Sequence, residues 1–339
     1  MRKPAVLVGL SGGVDSAVAV LLLQRQGYNV IGLHLDIGME DGRMNLPRLA
    51  EVLGIKIYVR SLRRLFQKDI VDYFVRQYVQ GKTPNPCLLC NRKIKFAFLI
   101  KEALNYRCHF IATGHYANIV YNRRQGRFFI KRHPSFYDQS YFLYSLKPAW
   151  LKKIKFPLAT LDKKQVLALA KSYGLLPFLR LHPTQDICFI KNDYRQFLKE
   201  KVPQLIRPGR ILYYNGEVLG EHPSHLFYTI GQRQNLGISW PQPLYVLKKQ
   251  PADNTLIVGE KEKLAKKELV LSQLNLFTQP LPFKAKVSIR YRSQPQEAFL
   301  ERVGLRLRVV FVCPQTAIAP GQAGVIYWRN MVLGGGIIN

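Results

Sequence analysis

The sequence predicts an α/β fold, a doubly wound parallel sheet, followed by a small mainly β linker domain and a C-terminal β-barrel. Three observations carry this expectation. Short apolar runs alternate with stretches of helical spacing through the first half of the chain. A glycine-rich loop joins the first apolar run to the first helix. Beyond Pro203 the helical spacing gives way to short strands separated by turn signals such as Tyr214-Asn-Gly216, Ala252-Asp-Asn254 and Trp328-Arg-Asn330. With 339 residues the chain can hold two or three cores. We divide it into a catalytic domain over 1–199, a linker domain over 200–265 and a barrel over 266–339.

The elements follow in order. Residues 5–8 are an apolar strand, and residues 17–26 have the spacing of a buried helix that ends at Gly27. A second strand spans 30–37, a helix starts near Asn45, a third strand spans 55–59, and an amphipathic helix covers 65–80. The stretch GKTPNPCLLCNRKIKF breaks the pattern with two prolines. A further helix then runs to about Tyr106, before a strand over 109–113. Asp162 and Gln165 form a capping-box start to one more helix, closed by Gly174. In sheets of this kind ligands sit at the carboxyl ends of the strands, where residues 11–16, 33–36 and 113–115 converge.

The stretch GLSGGVDS, residues 9–16, lies between strand and helix, where free amides and the positive end of the helix dipole favour an anion. Gly12 and Gly13 permit close backbone approach, and Ser11 and Ser16 add hydroxyl donors. A Walker loop needs a lysine on the outer phosphates, and no lysine stands between Pro4 and Lys56. The loop instead resembles the SGGxDS loop of the ATP pyrophosphatases (PP-loop enzymes), which split ATP between the α and β phosphates. The bland alternative is a capped turn into a core helix.

Lys and Arg number 51 against 21 Asp and Glu, a formal charge of +30. A polyanionic partner is expected. Basic clusters at 60–64, 122–124, 131–133 and 152–153, interleaved with aromatics, suit a structured nucleic acid, although a general basic bias or a membrane surface would leave a similar charge. No run of eighteen apolar residues exists to span a bilayer, and the apolar run before Ser11 is too short for a signal peptide, so a cytoplasmic protein is expected. The five cysteines, Cys87, Cys90, Cys108, Cys188 and Cys313, are then no disulfide framework. Cys87 and Cys90 form a CxxC within Thr83-Pro-Asn-Pro-Cys-Leu-Leu-Cys-Asn91, a pattern that serves as a zinc half-site, a redox pair, an iron–sulfur half-site or a catalytic thiol with a neighbour. A zinc finger with His109 and His115 is disfavoured by the long interval from Cys90 and by the helix within it.

The chain as a whole resembles the tRNA-specific 2-thiouridylase family (MnmA, also called TrmU). The matching blocks are GLSGGVDS, TPNPCLLCNRKIKF, ATGHYA, DQSYFLYSL, DICFI with YRQFL, YTIGQRQNLG, IRYRSQ, PGQAGVIY and LGGGII, in order from residue 9 to residue 338. The resemblance implies an ATP-dependent sulfurtransferase that adenylates the C2 carbonyl of the wobble uridine U34 in tRNA and replaces its oxygen with sulfur. ATP and Mg²⁺ are the cofactors it implies. Gly9, Leu10, Ser11, Gly12, Gly13, Val14, Asp15 and Ser16 then hold the nucleotide phosphates, and Leu35 and Gly114 flank the adenine and ribose. By the same resemblance Cys188 carries sulfur as a persulfide, supplied by a cysteine desulfurase or a sulfur relay protein. Cys90 is its partner, releasing the sulfur through a Cys90–Cys188 disulfide or acting as acid/base. A helix N-terminus and the basic run Asn91-Arg-Lys93 are expected to lower the thiol pKa. Asn85, Pro86 and Cys87 match the segment that meets the target base. Tyr137, Asp138, Gln139, Arg290 and Tyr291 match tRNA-contacting segments, and His115 and Gln322 match single contacts. Aromatics such as Tyr116 and Tyr141 are expected beside an unstacked base.

Three departures stand out. Position 87 is often aspartate in the family, and Cys87 cannot serve as a carboxylate. Cys87, Cys90 and Cys188 together could instead hold a [4Fe–4S] cluster with one open iron. Residues 38–45 are short where the family has a longer acidic stretch with a cysteine, and Thr184-Gln185-Asp186 stands where many members have Ser-Thr-Gly. Two competing functions remain. A nitrogen-transferring PP-loop synthetase would not need the paired thiols, and an RNA-binding module would not need a working loop.

Overall fold

A computed structural model describes residues 3–39, 46–179, 187–191 and 193–339. The chain opens with β1 (Ala5–Gly9), α1 (Val14–Arg25), β2 (Asn29–Asp36), α2 (Leu46–Leu53) and β3 (Lys56–Ser61). α3 (Arg63–Phe66) continues through a π turn, Gln67–Val71, into α4 (Asp72–Val79), so the helix expected over 65–80 is one rod with a bulge. α5 (Pro86–Cys90) passes in the same way through a π turn, Asn91–Lys95, into α6 (Phe96–Asn105). β4 (Phe110–Ala112), the hairpin β5 (Asn118–Asn122) and β6 (Arg127–Lys131), α7 (Ser140–Leu143), β7 (Ile154–Lys155) and α8 (Lys163–Ser172) follow.

The first sheet has the order β3-β2-β1-β4-β7, with every pairing parallel. Strand periodicity of two sends alternate residues of β1 to opposite faces. Val6 and Val8 pack with α1, α2 and α8 on one side, while Leu7 packs with Phe96, Leu99 and Ala103 of α6 on the other. Helices on both faces are what the alternation of elements predicts.

α9 (Tyr194–Lys201) leads to a four-stranded sheet of β8 (Gly209–Tyr213), β9 (Val218–His222), β10 (Tyr245–Gln250) and β11 (Thr255–Gly259) in the order β10-β11-β8-β9. Its core includes Phe74 and Tyr78 of α4, so this sheet is seated on the first domain's helix. Six strands then close an antiparallel barrel: β12 (Lys266–Leu276), β13 (Lys284–Ser288), β14 (Gln296–Val303), β15 (Arg306–Gln315), β16 (Ala323–Trp328) and β17 (Met331–Ile338), with β12 pairing β17.

The hairpin β5–β6 is not anticipated by the strand–helix alternation. It extends the barrel sheet through β17, with Met331 opposite Lys131 and Arg132 N donating to Asn330 O at 2.8 Å. Asn275 Nδ2 adds bonds to the carbonyls of Tyr144 at 2.6 Å and Leu146 at 2.8 Å. The glycine run of β17 fits this union, because a Cβ on Gly335 would lie 2.9 Å from the Tyr144 ring and 2.5 Å from Gly324 O. One apolar cluster accordingly runs from Leu7 and Phe96 into Leu271 and Val325 of the barrel.

Candidate active site

The loop after β1 is built as a cradle. α1 starts at Val14 with no side-chain cap on its N-terminus, which leaves first-turn amides open to an anion. Gly12 takes φ +76°, a left-handed conformation suited to glycine. Ser16 Oγ donates to Gly13 O at 2.9 Å and lies 3.3 Å from Ser11 Oγ, fixing the turn from within. Leu10 and Val14 are buried, so they contribute backbone rather than side chain to the cradle. Gly114 approaches from the neighbouring strand end, where a Cβ would come within 2.6 Å of Asp15 C and 2.7 Å of Ser16 N. Leu35 packs in the apolar clusters beneath this edge.

Asp15 has a partner that the sequence reading missed. Lys163, the first residue of α8, places Nζ 2.6 Å from Asp15 Oδ1, and Tyr116 Oη donates to the same oxygen at 2.7 Å. The chain thus supplies a lysine to a loop that contains none. The signal was present in the Asp162–Gln165 capping box, which fixes where Lys163 leaves the helix, but its reach across the crevice is tertiary.

The cysteine loop is held from both ends. Asn85 Oδ1 accepts from Cys87 N at 3.2 Å and Pro86 occupies the first turn, which explains the local order Asn-Pro-Cys. Cys87 and Cys90 fall three residues apart on α5 and so share a face. Before them, Thr83 N donates to Pro320 O at 2.8 Å and Gln322 Nε2 donates to Thr83 O at 2.9 Å, tying the loop to the barrel. Cys188 approaches from the segment 187–191. Its neighbour Phe189 anchors it, with ring centroids 5.8 Å from Phe66, 5.4 Å from Phe74 and 5.4 Å from Phe197. The three thiols are close enough to feel one another's charge. All three are free thiols.

The expected lowering of the Cys90 pKa is corrected by the structure. Cys90 is the last residue of α5, not the first, and lies in an apolar cluster with Leu62, Phe66, Ile70 and Ile94. Burial pushes its thiol up to about 12. Desolvation also raises Cys87 and, although it remains exposed, Cys188. The opposing cation is Lys95, not the Arg92 and Lys93 side chains. Lys95 also acts on His115, whose imidazole is driven down to about 3, chiefly by burial. His115 accordingly stands neutral between the rings of Phe96 and Phe156, with Nδ1 2.8 Å from Thr113 Oγ1.

Among the described residues no three His, Cys, Asp or Glu side chains are grouped to hold a metal ion. Residues 184–186, and residues 40–45 of the short segment, lie outside the described residues.

The remaining sequence-derived residues divide by role. Asp138 is spent internally, accepting from His133 N at 2.9 Å, Ser140 Oγ at 2.9 Å and Arg132 Nε at 3.1 Å. Gln139 Oε1 accepts from Tyr116 N at 2.9 Å. Tyr116 and Tyr141 are buried, with Tyr141 Oη donating to Ala323 O at 3.0 Å, so the expectation that their rings flank an unstacked base is corrected. Tyr137 is exposed, as is Arg290. Tyr291, partly buried, packs on Phe142 at 4.4 Å and lines a cavity of about 770 Å³ between the hairpin region and the barrel. Arg292, another lining residue, holds its guanidinium 5.1 Å from the exposed Phe136 ring and 5.3 Å from Tyr291. No helix among the described residues is long and apolar enough to cross a membrane.

Comparison with known proteins adds three family matches and a set of full-length relatives. Residues 4–192 match the family described as "tRNA methyl transferase HUP domain", residues 195–260 the "tRNA methyl transferase PRC-barrel domain", and residues 266–338 the "Aminomethyltransferase beta-barrel domain". A protein of Carboxydothermus hydrogenoformans named tRNA-specific 2-thiouridylase MnmA is 41% identical, over 99% of this chain and 98% of its own. Its namesake in Clostridioides difficile is 38% identical over 98% and 97%. A Syntrophus aciditrophicus protein named tRNA-specific 2-thiouridylase MnmA 1 is 41% identical over 99% and 93%.

Proposed function

The chain belongs to the tRNA-specific 2-thiouridylase family, and from that premise we propose that it uses ATP to replace the C2 oxygen of wobble uridine U34 with sulfur from Cys188. The observation that carries this reading is the pairing of an anion cradle at 11–16 with a thiol cluster, Cys87, Cys90 and Cys188, on one protein. Methyl transfer, named in two of the family descriptions, has no use for either feature.

The chemistry assigns a task to each group. A uridine carbonyl oxygen leaves poorly, so it is first joined to the α phosphate of ATP, with pyrophosphate departing. The 11–16 amides, Ser11, Ser16 and Lys163 hold the charge that gathers there. Mg²⁺ commonly binds one or two carboxylates plus nucleotide phosphates, and Asp15, the carboxylate of the 11–16 loop, would help hold it and so offset phosphate charge. The terminal sulfur of a Cys188 persulfide attacks C2, and the C2–O bond breaks with its electron pair leaving on AMP. Cys90 thiolate then attacks Cys188 Sγ, the S–S bond breaks toward the base, and a Cys90–Cys188 disulfide remains for an external thiol to reduce. The persulfide comes from a donor such as a cysteine desulfurase or a relay protein. Asn85, Pro86, Cys87 and His115 border the base, and Tyr137, Arg290, Tyr291 and Gln322 lie toward the tRNA. We keep the divisions 1–199, 200–265 and 266–339, in line with the three sheets.

The test is product analysis with radiolabelled ATP. A tRNA-dependent split into AMP and pyrophosphate supports the reading. Release of ADP and phosphate, or cleavage indifferent to tRNA, overturns it.

A further inference from the structure

Burial sets a problem for the thiols that the phosphate loop does not solve. With Cys90 raised to about 12, almost none of it is thiolate at neutral pH. A sulfur nucleophile works as its anion. Cys87, on the same face of α5, is itself a thiol raised by burial and cannot supply the help.

The backbone after Cys90 points to where. Had α5 continued as a regular helix, a residue five positions on would be turned about 140° away from Cys90, at 3.6 residues per turn. The segment Asn91–Lys95 is instead a π turn, in which Phe96 N donates to Asn91 O. Its wider i→i+5 closure brings residue 95 back toward the face of residue 90. Ile94, in the same turn, is buried against Cys90, while Lys95 is exposed. Among the described residues Lys95 is also the one cation whose charge reaches Cys87, Cys90, Cys188 and His115 alike. π turns inside helices gather at functional sites, and this one places a charge on a cysteine face.

We propose that Lys95 is the electrostatic activator of the sulfur-transfer centre, holding the negative charge of the Cys90 thiolate and of sulfur on Cys188. The proposal rests on the sulfur-transfer reading above for its purpose, but its test does not require turnover. Among the described residues the groups acting on the thiols are Lys95, the other cysteines and, at Cys188, the backbone amides of Cys188 and Phe189; the cysteines oppose ionisation of one another, and Lys95 is the charged side chain that favours it at all three. Because Lys95 is exposed, its effect in the free enzyme is softened by water and salt, and it strengthens when bound RNA excludes solvent from the crevice.

The experiment measures alkylation of the full chain by iodoacetamide from pH 6 to 10, with each cysteine followed by peptide mass spectrometry. Cys188 is the reporter and exposed Cys313, far along the chain on β15, is the internal reference. Lys95→Met is expected to slow Cys188 alkylation at pH 8 by about threefold to tenfold and to move its pH profile upward. Lys95→Arg is expected to restore the wild-type profile, and Cys313 to be unchanged in both. An unchanged Cys188 profile in folded Lys95→Met, or a Lys95→Arg profile as shifted as that of Lys95→Met, overturns the proposal. Absence of 2-thiouridine with the wild-type enzyme would instead overturn the functional reading and leave this result standing.

Discussion

Lys163 Nζ lies 2.6 Å from Asp15 Oδ1, joining the start of α8 to the loop after β1 across 148 residues of sequence. On the proposed function, this ion pair holds a cation ready where pyrophosphate charge develops. Lys163→Met is expected to raise the KM for ATP about tenfold or more and to lower kcat, because a charge-assisted contact to a leaving phosphate is lost. Lys163→Arg should recover part of both. Steady-state AMP release against ATP concentration checks it.

Gly114 offers a backbone version of the same test. An added Cβ meets Asp15 C and Ser16 N at 2.6 and 2.7 Å, and both are backbone atoms that cannot step aside. Gly114→Ala should displace the cradle, weakening nucleotide binding by an order of magnitude or more while the barrel stays folded. Calorimetric titration with a non-hydrolysable ATP analogue, alongside circular dichroism, reads both effects.

Two desolvated histidines, His115 and His222, make stability depend on pH. The imidazoles of His115 and His222 sit at about 3 and about 4, both lowered first by burial, against 6.5 for the ordinary group. The unfolded chain therefore takes up protons that the folded chain refuses once pH falls below 6.5, and stability declines with acidification. Their contribution is complete above that pH and fades down to about 3 to 4. Urea midpoints at pH 7.5, 6.0 and 5.0 should fall in that order, and His115→Gln, which cannot take up a proton, should flatten the slope.

Gln322 donates to Thr83 O, so the barrel steadies the loop that carries Cys87 and Cys90. Gln322→Ala is expected to speed amide exchange across 82–90 severalfold without altering exchange in β12 or β15, and to depress sulfur transfer more than ATP binding. Hydrogen–deuterium exchange read by mass spectrometry distinguishes this from general loosening.

The excess of 30 positive charges over negative ones predicts strong salt dependence of tRNA binding. Affinity should fall roughly tenfold for each doubling of salt if about four phosphates are contacted. Filter binding between 50 and 200 mM salt measures the slope.

Local pattern made much of this legible from sequence. The strand–GLSGGVDS–helix order announced the cradle, and the CxxC marked the two thiols, whereas the Asn85 cap and the shared face of α5 emerged only from the structure. What stayed hidden is tertiary. Asn91-Arg-Lys93 alone reads as an activating surrounding for Cys90, yet Phe66, Ile70 and Ile94 bury it. Asp138 and Gln139 match RNA-contacting segments by resemblance, and the bonds from Arg132, His133 and Ser140 to Asp138 and from Tyr116 N to Gln139 Oε1 come from the folded chain, beyond what the sequence pattern announces. The hairpin β5–β6 has no partner in its own sequence neighbourhood, since the strand it joins is β17.

The central claim is that sulfur reaches the wobble uridine through Cys188, after ATP has activated the base at the 11–16 loop. The most direct measurement is nucleoside mass spectrometry of tRNA incubated with the enzyme, ATP, Mg²⁺ and a persulfide donor. The account predicts 2-thiouridine at the anticodon, in step with AMP, and none with Cys188→Ser. Undiminished 2-thiouridine from Cys188→Ser would contradict it.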